Sequence, residues 1–195
     1  GTMENLIGEE VVPTERTTPE SPQLQALFAR MVDAGCSYAV MEVSSHAIAL
    51  ERVGGVHYHV AAFTNLTEDH LDFHKTMENY GETKAMLFAR SDKAVLNQDD
   101  GWYSLMAYKA ACEPLTTGLS ENAGLYATDL ELVADGVRFT AHYGQEQAFV
   151  YLPIPGKFTV YNALTALGIA LALDIDLQTA AAALKTAKGV KGRVE

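Results

Sequence analysis

Two short stretches of the sequence combine carboxylates, imidazoles and hydroxyls, and each follows a run of apolar residues. Residues 42–46 read Glu-Val-Ser-Ser-His, and residues 64–74 contain Asp69, His70, Asp72 and His74. In an open parallel sheet, ligands gather in the crevice beyond the carboxyl ends of the strands. Oxygen ligands at such a position suit Mg²⁺, a hard cation. We therefore predict that these two stretches form the active site of an α/β enzyme.

The first stretch offers one carboxylate and two hydroxyls. Glu42 directly follows the apolar residues 38–41, where it could bind a metal or cap a neighbouring helix. Ser44 and Ser45 lack the glycines of a Gly-x-Ser-x-Gly nucleophile elbow. We therefore expect these hydroxyls to form hydrogen bonds with a substrate or with the backbone rather than to act as nucleophiles.

The second stretch places four potential metal ligands within six residues. Such a density favours a metal or phosphate site over a solvated loop, although the spacing matches no zinc signature. A metal-dependent hydrolase built on His70, Asp72 and His74 is therefore one open interpretation.

Lys84 and Asn162 have ordinary structural interpretations when only their spacing is considered. Lys84 falls on the apolar face of a predicted helix, where a buried ammonium is costly unless it is paired or chemically altered. Spacing alone therefore predicts a surface lysine with its stem packed on the helix. Asn162 would cap a following helix. The phosphate-binding motif Gly-x-x-x-x-Gly-Lys-Ser/Thr does not occur in the sequence.

Hydrophobic periodicity predicts an α/β fold with a mostly parallel sheet flanked by helices. Apolar runs predict strands at residues 38–41, 60–63 and 94–96. Helical periodicity predicts helices at residues 22–34, 46–52, 77–89 and 102–111, the first with Ser21 as its N-cap and Gly35 at its end. Residues 115–152 alternate between apolar and polar, which predicts a small antiparallel β subregion. Two alanine-rich helices follow, at 160–173 and 177–188, the second with Asp176 as its N-cap.

The composition narrows the class of protein. With 195 residues and 48% apolar side chains, the chain can form one sizeable core. A formal net charge of −11 argues against nucleic acid or an anionic membrane as the main partner. The two cysteines have no metal-type spacing, and the sequence contains neither a signal peptide nor the apolar run of about 20 residues that spans a bilayer. We therefore expect a cytoplasmic protein without disulfides.

Several motifs, in order along the whole chain, resemble the central ATP-binding domain of the Mur ligases. They are R-T-T-P-E at residues 16–20, M-E-V-S-S-H at 41–46, F-T-N-L-T-E-D-H-L-D-F-H at 63–74, K-A-M-L-F at 84–88, V-L-N-Q-D-D at 95–100, P-G-K-F-T-V-Y-N at 155–162 and G-V-K-G-R-V-E at 189–195. The resemblance implies that residues 1–195 are a piece of that domain, with 115–152 as its antiparallel β subregion. The family's P-loop would then precede this chain, and a further N-terminal and C-terminal domain would flank it.

The resemblance also implies roles for individual residues. Glu42, His70 and Lys84 match the catalytic and Mg²⁺-binding positions, with Lys84 as the lysine that is carbamylated in the family. Thr17, Thr18, Ser44 and Arg52 match positions that bind the UDP-muramyl dipeptide. Asn97, Asn162 and Arg193 match positions that bind ATP. A carbamate requires a neutral amine, and burial promotes neutrality by lowering a lysine pKa from its usual value of about 10.4.

The implied activity is an ATP-dependent amide ligation in peptidoglycan precursor synthesis. The ligase would add a diamino acid, meso-diaminopimelate or L-lysine, to UDP-MurNAc-L-Ala-D-Glu through an acyl phosphate. By itself the chain would be inactive, because the P-loop is absent from it. Besides the hydrolase, two interpretations stay open: a folylpolyglutamate-synthetase-like ligase, and a folded piece without catalytic activity.

Overall fold

The computed structural model describes residues 1–189 and contains both helices and strands. Its strands are β1 Asn5–Ile7, β2 Glu10–Val12, β3 Tyr58–Phe63, β4 Ser91–Asn97, β5 Leu115–Gly118, β6 Leu125–Val133, β7 Gly136–Tyr143 and β8 Glu146–Leu152. Its α-helices are α1 Ser21–Asp33, α2 Ser45–Ala49, α3 Leu71–His74, α4 Met77–Ala85, α5 Tyr103–Lys109, α6 Phe158–Ala172 and α7 Leu177–Leu184. A 3₁₀ turn, Phe88–Arg90, leads into β4.

The chain divides into two compact units. Unit 1 comprises residues 1–57 and 70–87, and unit 2 comprises residues 58–69 and the chain from residue 88 onward. Unit 1 contains the antiparallel hairpin of β1 and β2 and the helices α1 to α4. Its small apolar core consists of four buried side chains, those of Leu24, Ala47, Ile48 and Val53.

Unit 2 contains a six-stranded sheet with the strands in sequence order, β3-β4-β5-β6-β7-β8. The first four strands are parallel, and β7 and β8 continue the sheet as an antiparallel meander. This arrangement confirms the predicted α/β class and the mostly parallel sheet. Because β3 and β4 pair in parallel, with Phe63 opposite Leu96, their carboxyl ends open at the same edge.

The core of unit 2 lies between the sheet and the helices α6 and α7. Phe139, Val150, Leu164 and Leu167 are almost completely buried in it. Gly168 allows α6 to approach the sheet closely, because a Cβ at this position would lie 2.6 Å from Val95 Cγ1 and 3.3 Å from Thr117 Cγ2. A glycine inside a helix costs up to about 1 kcal/mol relative to alanine. The close packing on β4 and β5 offsets this cost.

The predicted strand at residues 38–41 is wrong for the described chain. These residues form no strand, and the side chains of Tyr38 and Val40 are 65% and 91% exposed. An extended apolar segment becomes a strand only when a neighbouring strand pairs with its N–H and C=O groups. Within residues 1–189 no strand pairs with this segment.

The predicted boundaries of the helices differ from the observed ones mainly at their ends. The N-cap of α1 is Glu20 rather than Ser21, and its carboxylate forms no cap hydrogen bond. Asp176 caps α7 as predicted, by accepting a hydrogen bond from the Thr179 N–H. The helix predicted over residues 77–89 ends earlier, because α4 stops at Ala85. None of the helices described here is both long and apolar enough to cross a membrane.

Tyr58, the first residue of β3, allows the energetic cost of a buried hydroxyl in unit 2 to be measured. Its hydroxyl is buried without a hydrogen-bond partner in the described chain, and burial raises the pKa of Tyr58 to about 12. Replacing Tyr58 with Phe should stabilise the protein by roughly 1 kcal/mol at pH 7, since an unsatisfied buried polar group costs about 1–3 kcal/mol.

The difference in unfolding free energy between Tyr58→Phe and the wild type should increase between pH 10 and pH 12. In this window the unfolded wild type loses the Tyr58 proton while the folded wild type keeps it, so alkaline pH destabilises the wild type relative to Tyr58→Phe. Urea unfolding of both proteins at pH 7 and near pH 11 measures the effect. A difference in unfolding free energy that does not change with pH would contradict it.

Candidate active site

Thr18 holds the backbone of the first motif in place. Its side chain is 1% exposed, and its hydroxyl donates to the Glu42 carbonyl (2.8 Å) and accepts from the Ser44 N–H (3.0 Å). The resemblance to the Mur ligases implies that Thr18 binds substrate, and that stays a prediction. The contacts observed are those of a residue that positions Glu42 and Ser44.

The Glu42 side chain is exposed and faces two threonines. Its Oε2 accepts a hydrogen bond from the Thr2 hydroxyl at 2.8 Å, and the Thr2 and Thr17 hydroxyls are 3.1 Å apart. Ser44 is the N-cap of α2, where its Oγ accepts from the Ala47 N–H at 3.2 Å. The Thr2 hydroxyl therefore links the Glu42 carboxylate to the Thr17 hydroxyl, whereas the Ser44 hydroxyl is engaged by the backbone of α2.

A cluster of rings surrounds His70. The ring centroid of His46 lies 4.9 Å from that of His70 and 5.6 Å from that of His74, and the His74 ring stacks on Tyr80 at 5.0 Å. His70 itself has a left-handed backbone conformation, with φ of 54°, at the N-terminal end of α3. Such a conformation is uncommon for residues other than glycine and is held by the surrounding structure.

Lys84 is partly buried, so more of its side chain is covered than in the surface lysine that spacing alone predicts. Burial lowers the pKa of Lys84, and the nearby Glu42 carboxylate opposes this shift. Its Nζ lies 6.0 Å from the centroid of the Tyr80 ring. The structure therefore brings Glu42, His70 and Lys84 into one region of unit 1. A larger neutral fraction of this amine is what reaction with CO₂ requires.

Arg52 is held beside α1 by Glu20. Its side chain is 10% exposed and its Nε lies 3.0 Å from Glu20 Oε1, which also pairs with Arg16 Nη1 at 2.8 Å. Two guanidinium groups on one carboxylate leave a local charge of about +1 in an acidic chain. This is consistent with the binding of an anionic group, and the role of Glu20 was not predicted from the sequence.

Unit 2 contains a separate pocket of about 240 Å³ at the carboxyl ends of β3 and β4. The pocket brings together two predicted ATP-binding residues, Asn97 and Asn162. Arg193, the third, lies outside the described residues. The pocket lining is polar with two aromatic rings and consists of Thr64, Asn65, Asn97, Asp99, Asp100, Phe158, Tyr161 and Asn162.

Hydrogen bonds fix the wall of this pocket. The buried Asn97 amide donates to the Thr64 carbonyl at 2.8 Å and so joins the ends of β3 and β4. The Asp99 carboxylate accepts from the Leu119 N–H (2.7 Å) and from the Tyr161 hydroxyl (3.3 Å). Burial and Asp99 both raise the pKa of Tyr161, which therefore keeps its proton as the donor. Sequence reasoning did not assign Asp99, although two aspartates shortly after the end of a strand were a signal for it.

The geometry does not support the hydrolase interpretation. Within residues 1–189, no three His, Cys, Asp or Glu side chains are close enough to hold a metal ion by themselves. The His74 ring is buried, and its Nε2 lies 2.8 Å from the Ser45 hydroxyl. Asp72 is exposed. His70, Asp72 and His74 therefore do not converge as a set of metal ligands.

Comparison with known families identifies the chain. The family model described as "Mur ligase middle domain" matches residues 1–170. The chain belongs to the Mur ligase middle-domain family. The match covers the candidate active site of unit 1 and the pocket of unit 2.

Curated Mur ligases are similar to the chain over its whole length. A UDP-N-acetylmuramoyl-L-alanyl-D-glutamate–2,6-diaminopimelate ligase of Clostridium botulinum is 45% identical over 195 residues. These cover 100% of this chain and 40% of the relative. The ligase of the same name from Corynebacterium glutamicum is 44% identical over 202 residues, covering 100% of the chain and 39% of the relative. The chain thus spans about two-fifths of the length of these relatives.

Solved structures of Mur ligases are similar to the chain in fold. A UDP-N-acetylmuramoyl-L-alanyl-D-glutamate–2,6-diaminopimelate ligase has a TM-score of 0.82 at 32% identity, over 94% of this chain and 40% of that one. MurF from Acinetobacter baumannii has a TM-score of 0.65 at 28% identity, over 69% and 30%.

The two hydrogen bonds of Thr18 give a first prediction for the site. Replacing Thr18 with Val preserves the shape of the side chain but leaves the Glu42 carbonyl and the Ser44 N–H without their partner. We expect a loss of about 1–3 kcal/mol in the free energy of unfolding. Thr18→Ser keeps the hydroxyl and should lose only about 0.8 kcal/mol for the methyl group. Urea unfolding measures both, and equal losses would contradict the prediction.

The lowered pKa of Lys84 leads to a prediction about how the stability of the protein depends on pH. Because the unfolded chain binds this proton more tightly than the folded chain, the stability of the wild type should rise as pH increases toward 10.5. Replacing Lys84 with Met removes this dependence and should therefore stabilise the protein more at pH 7 than at pH 10. Each unit of pKa difference between the two states corresponds to about 1.36 kcal/mol.

The measurement is urea unfolding of wild type and Lys84→Met in CO₂-free buffer at both pH values, with Lys185→Met, at an exposed position of unit 2, as control. A Lys84→Met effect of equal size at pH 7 and pH 10 would show that the ammonium is not desolvated.

Proposed function

We propose that the chain is the middle domain of an ATP-dependent ligase that adds a diamino acid to UDP-MurNAc-L-Ala-D-Glu in peptidoglycan precursor synthesis. The observation that carries the proposal is the 45% identity to the Clostridium botulinum ligase over the entire chain. Both candidate sites lie within that alignment. The names of several relatives favour 2,6-diaminopimelate over L-lysine as the diamino acid.

The reaction joins a carboxylate to an amine in two steps. The carboxylate of the D-glutamyl residue attacks the γ-phosphorus of ATP and forms an acyl phosphate, with ADP as the leaving group. The amine then attacks the acyl carbon, phosphate leaves, and the nitrogen loses a proton as the amide forms. Positioning of the reactants and electrostatic stabilisation account for most of the catalysis in such phosphoryl transfers.

The residues of unit 1 are suited to binding the phosphate groups of ATP. The exposed Glu42 carboxylate is a suitable ligand for Mg²⁺, and burial lowers the pKa of Lys84 so that a carbamate can form there. Glu42, His70 and the Lys84 carbamate would hold Mg²⁺, which would neutralise negative charge on the phosphates. Thr17, Ser44 and Arg52, positioned by Thr18 and Glu20, would contact the muramyl dipeptide.

The pocket of unit 2 fits the nucleoside end of ATP. Its lining has amides and carboxylates that can bind base and ribose, and Phe158 and Tyr161 offer rings for contact with a base. The described residues that line it include no lysine or arginine, and their amides, carboxylates and rings are suited to a nucleoside. We therefore assign Asn97 and Asn162 to nucleoside binding.

Domain replacement tests the proposed function. The matching 40% of the Clostridium botulinum ligase is replaced by this chain, and the chimera is assayed with UDP-MurNAc-L-Ala-D-Glu, meso-diaminopimelate, ATP and Mg²⁺. We expect formation of the UDP-MurNAc-tripeptide together with ADP. A folded chimera that forms neither product would contradict the proposal.

Two variants with the same chemical change distinguish a residue of the candidate site from a surface residue. In the chimera, Glu42→Gln should lower the rate by about a hundredfold, because a metal ligand is lost. Glu121→Gln, in an exposed turn of unit 2, should leave the rate unchanged. Equal rates for the two variants would show that Glu42 has no role in the chemistry.

A further inference from the structure

The proposed function does not use the buried pair of His74 and Ser45. The side chain of His74 is 5% exposed and that of Ser45 is 1% exposed. His74 Nε2 lies 2.8 Å from Ser45 Oγ, so the two groups form a hydrogen bond whichever of them donates. The bond joins residues that are 29 positions apart in the sequence.

Each partner lies close in the sequence to a residue of the candidate site. Ser45 is the first residue of α2, directly after Ser44 and three residues after Glu42. His74 is the last residue of α3, one helical turn after His70, and its N–H donates to the His70 carbonyl at 2.9 Å. One hydrogen bond therefore joins the segment of Glu42 to the segment of His70.

Ring contacts restrict the orientation of His74. Its imidazole stacks on Tyr80, with an interplanar angle of 20°, and meets the Phe73 ring edge-on at 4.8 Å. His46, on the same short helix as Ser45, contacts the rings of both His70 and His74. The His74 ring cannot turn away from Ser45 without losing these contacts, and the left-handed backbone of His70 is supported by the same cluster.

We propose that His74 and Ser45 are a positioning pair that fixes the separation of Glu42 and His70 and thereby raises the affinity of the site for a divalent cation. This inference rests on the proposed function. Neither residue contacts the cation. The pair acts through its neighbours, as do the outer-shell groups of metal sites, whose loss lowers metal affinity about 10- to 100-fold.

Titration of this chain with Mn²⁺ alone, in CO₂-equilibrated buffer, tests the pair. Free Mn²⁺ is measured by electron paramagnetic resonance, and folding is measured by circular dichroism. Ser45→Ala removes a single oxygen, whereas His74→Phe keeps a ring on Tyr80 and removes the hydrogen bond. Each should weaken Mn²⁺ binding about 10- to 100-fold. The double variant should be no weaker than the single variants, because all three lack the same bond.

Two further variants distinguish positioning from general stability. His74→Gln places an amide near the position of Nε2 and should restore most of the affinity. His59→Phe replaces an exposed histidine of unit 2 and should leave Mn²⁺ binding unchanged. A purely structural role predicts lower melting temperatures with an unchanged dissociation constant for the folded protein, and that result would overturn the inference.

The Mn²⁺ titrations can refute the positioning pair without refuting the proposed function. If the wild type binds Mn²⁺ and Glu42→Gln does not, while Ser45→Ala and His74→Phe bind as the wild type does, the positioning pair is refuted and the metal site stands. If the wild type fails to bind Mn²⁺ through Glu42, the metal assignment of the proposed function is refuted, and the pair with it.

Discussion

A buried polar group without a hydrogen-bond partner destabilises the fold, and avoiding this cost determines how both candidate sites are built. An unpaired buried hydroxyl or amide costs a few kcal/mol, which is a large share of the stability of a domain. Thr18, His74 and Asn97 meet the constraint by bonding to segments far away in the sequence. In each case the partner segment carries candidate functional residues. The bonds that stabilise the fold therefore also position the chemistry.

Most of the secondary structure could be predicted from the sequence, because it follows from local periodicity. The strands of the meander and the helices α1, α6 and α7 each have a regular apolar repeat and recognisable turn or cap residues. The segment at residues 38–41 has the same apolar character, yet it forms no strand. Strand formation depends on a partner, and the partner is not encoded in the segment itself.

The residue types of the candidate site could be predicted from the sequence. The contacts between those residues could not. A carboxylate and an imidazole after apolar runs indicated Glu42 and His70, and motif resemblance indicated Lys84. Spacing alone placed Lys84 at the surface, because helical periodicity does not reveal what covers a helix face. Nothing local in the sequence indicated that Glu20 would bind Arg52, or that the ring of His74 would meet Ser45. Such contacts arise only when the chain folds and brings distant segments together.

Gly168 has a consequence for how the shape of the unit 2 pocket could evolve. Tyr161 and Asn162 lie on the same helix, about two turns and roughly 10 Å before it. Any larger residue at position 168 would press on Val95 and Thr117 and force α6 away from the sheet. The wall of the pocket would then move without any change in the residues that line it. Selection could therefore reshape the pocket from a position that does not line it.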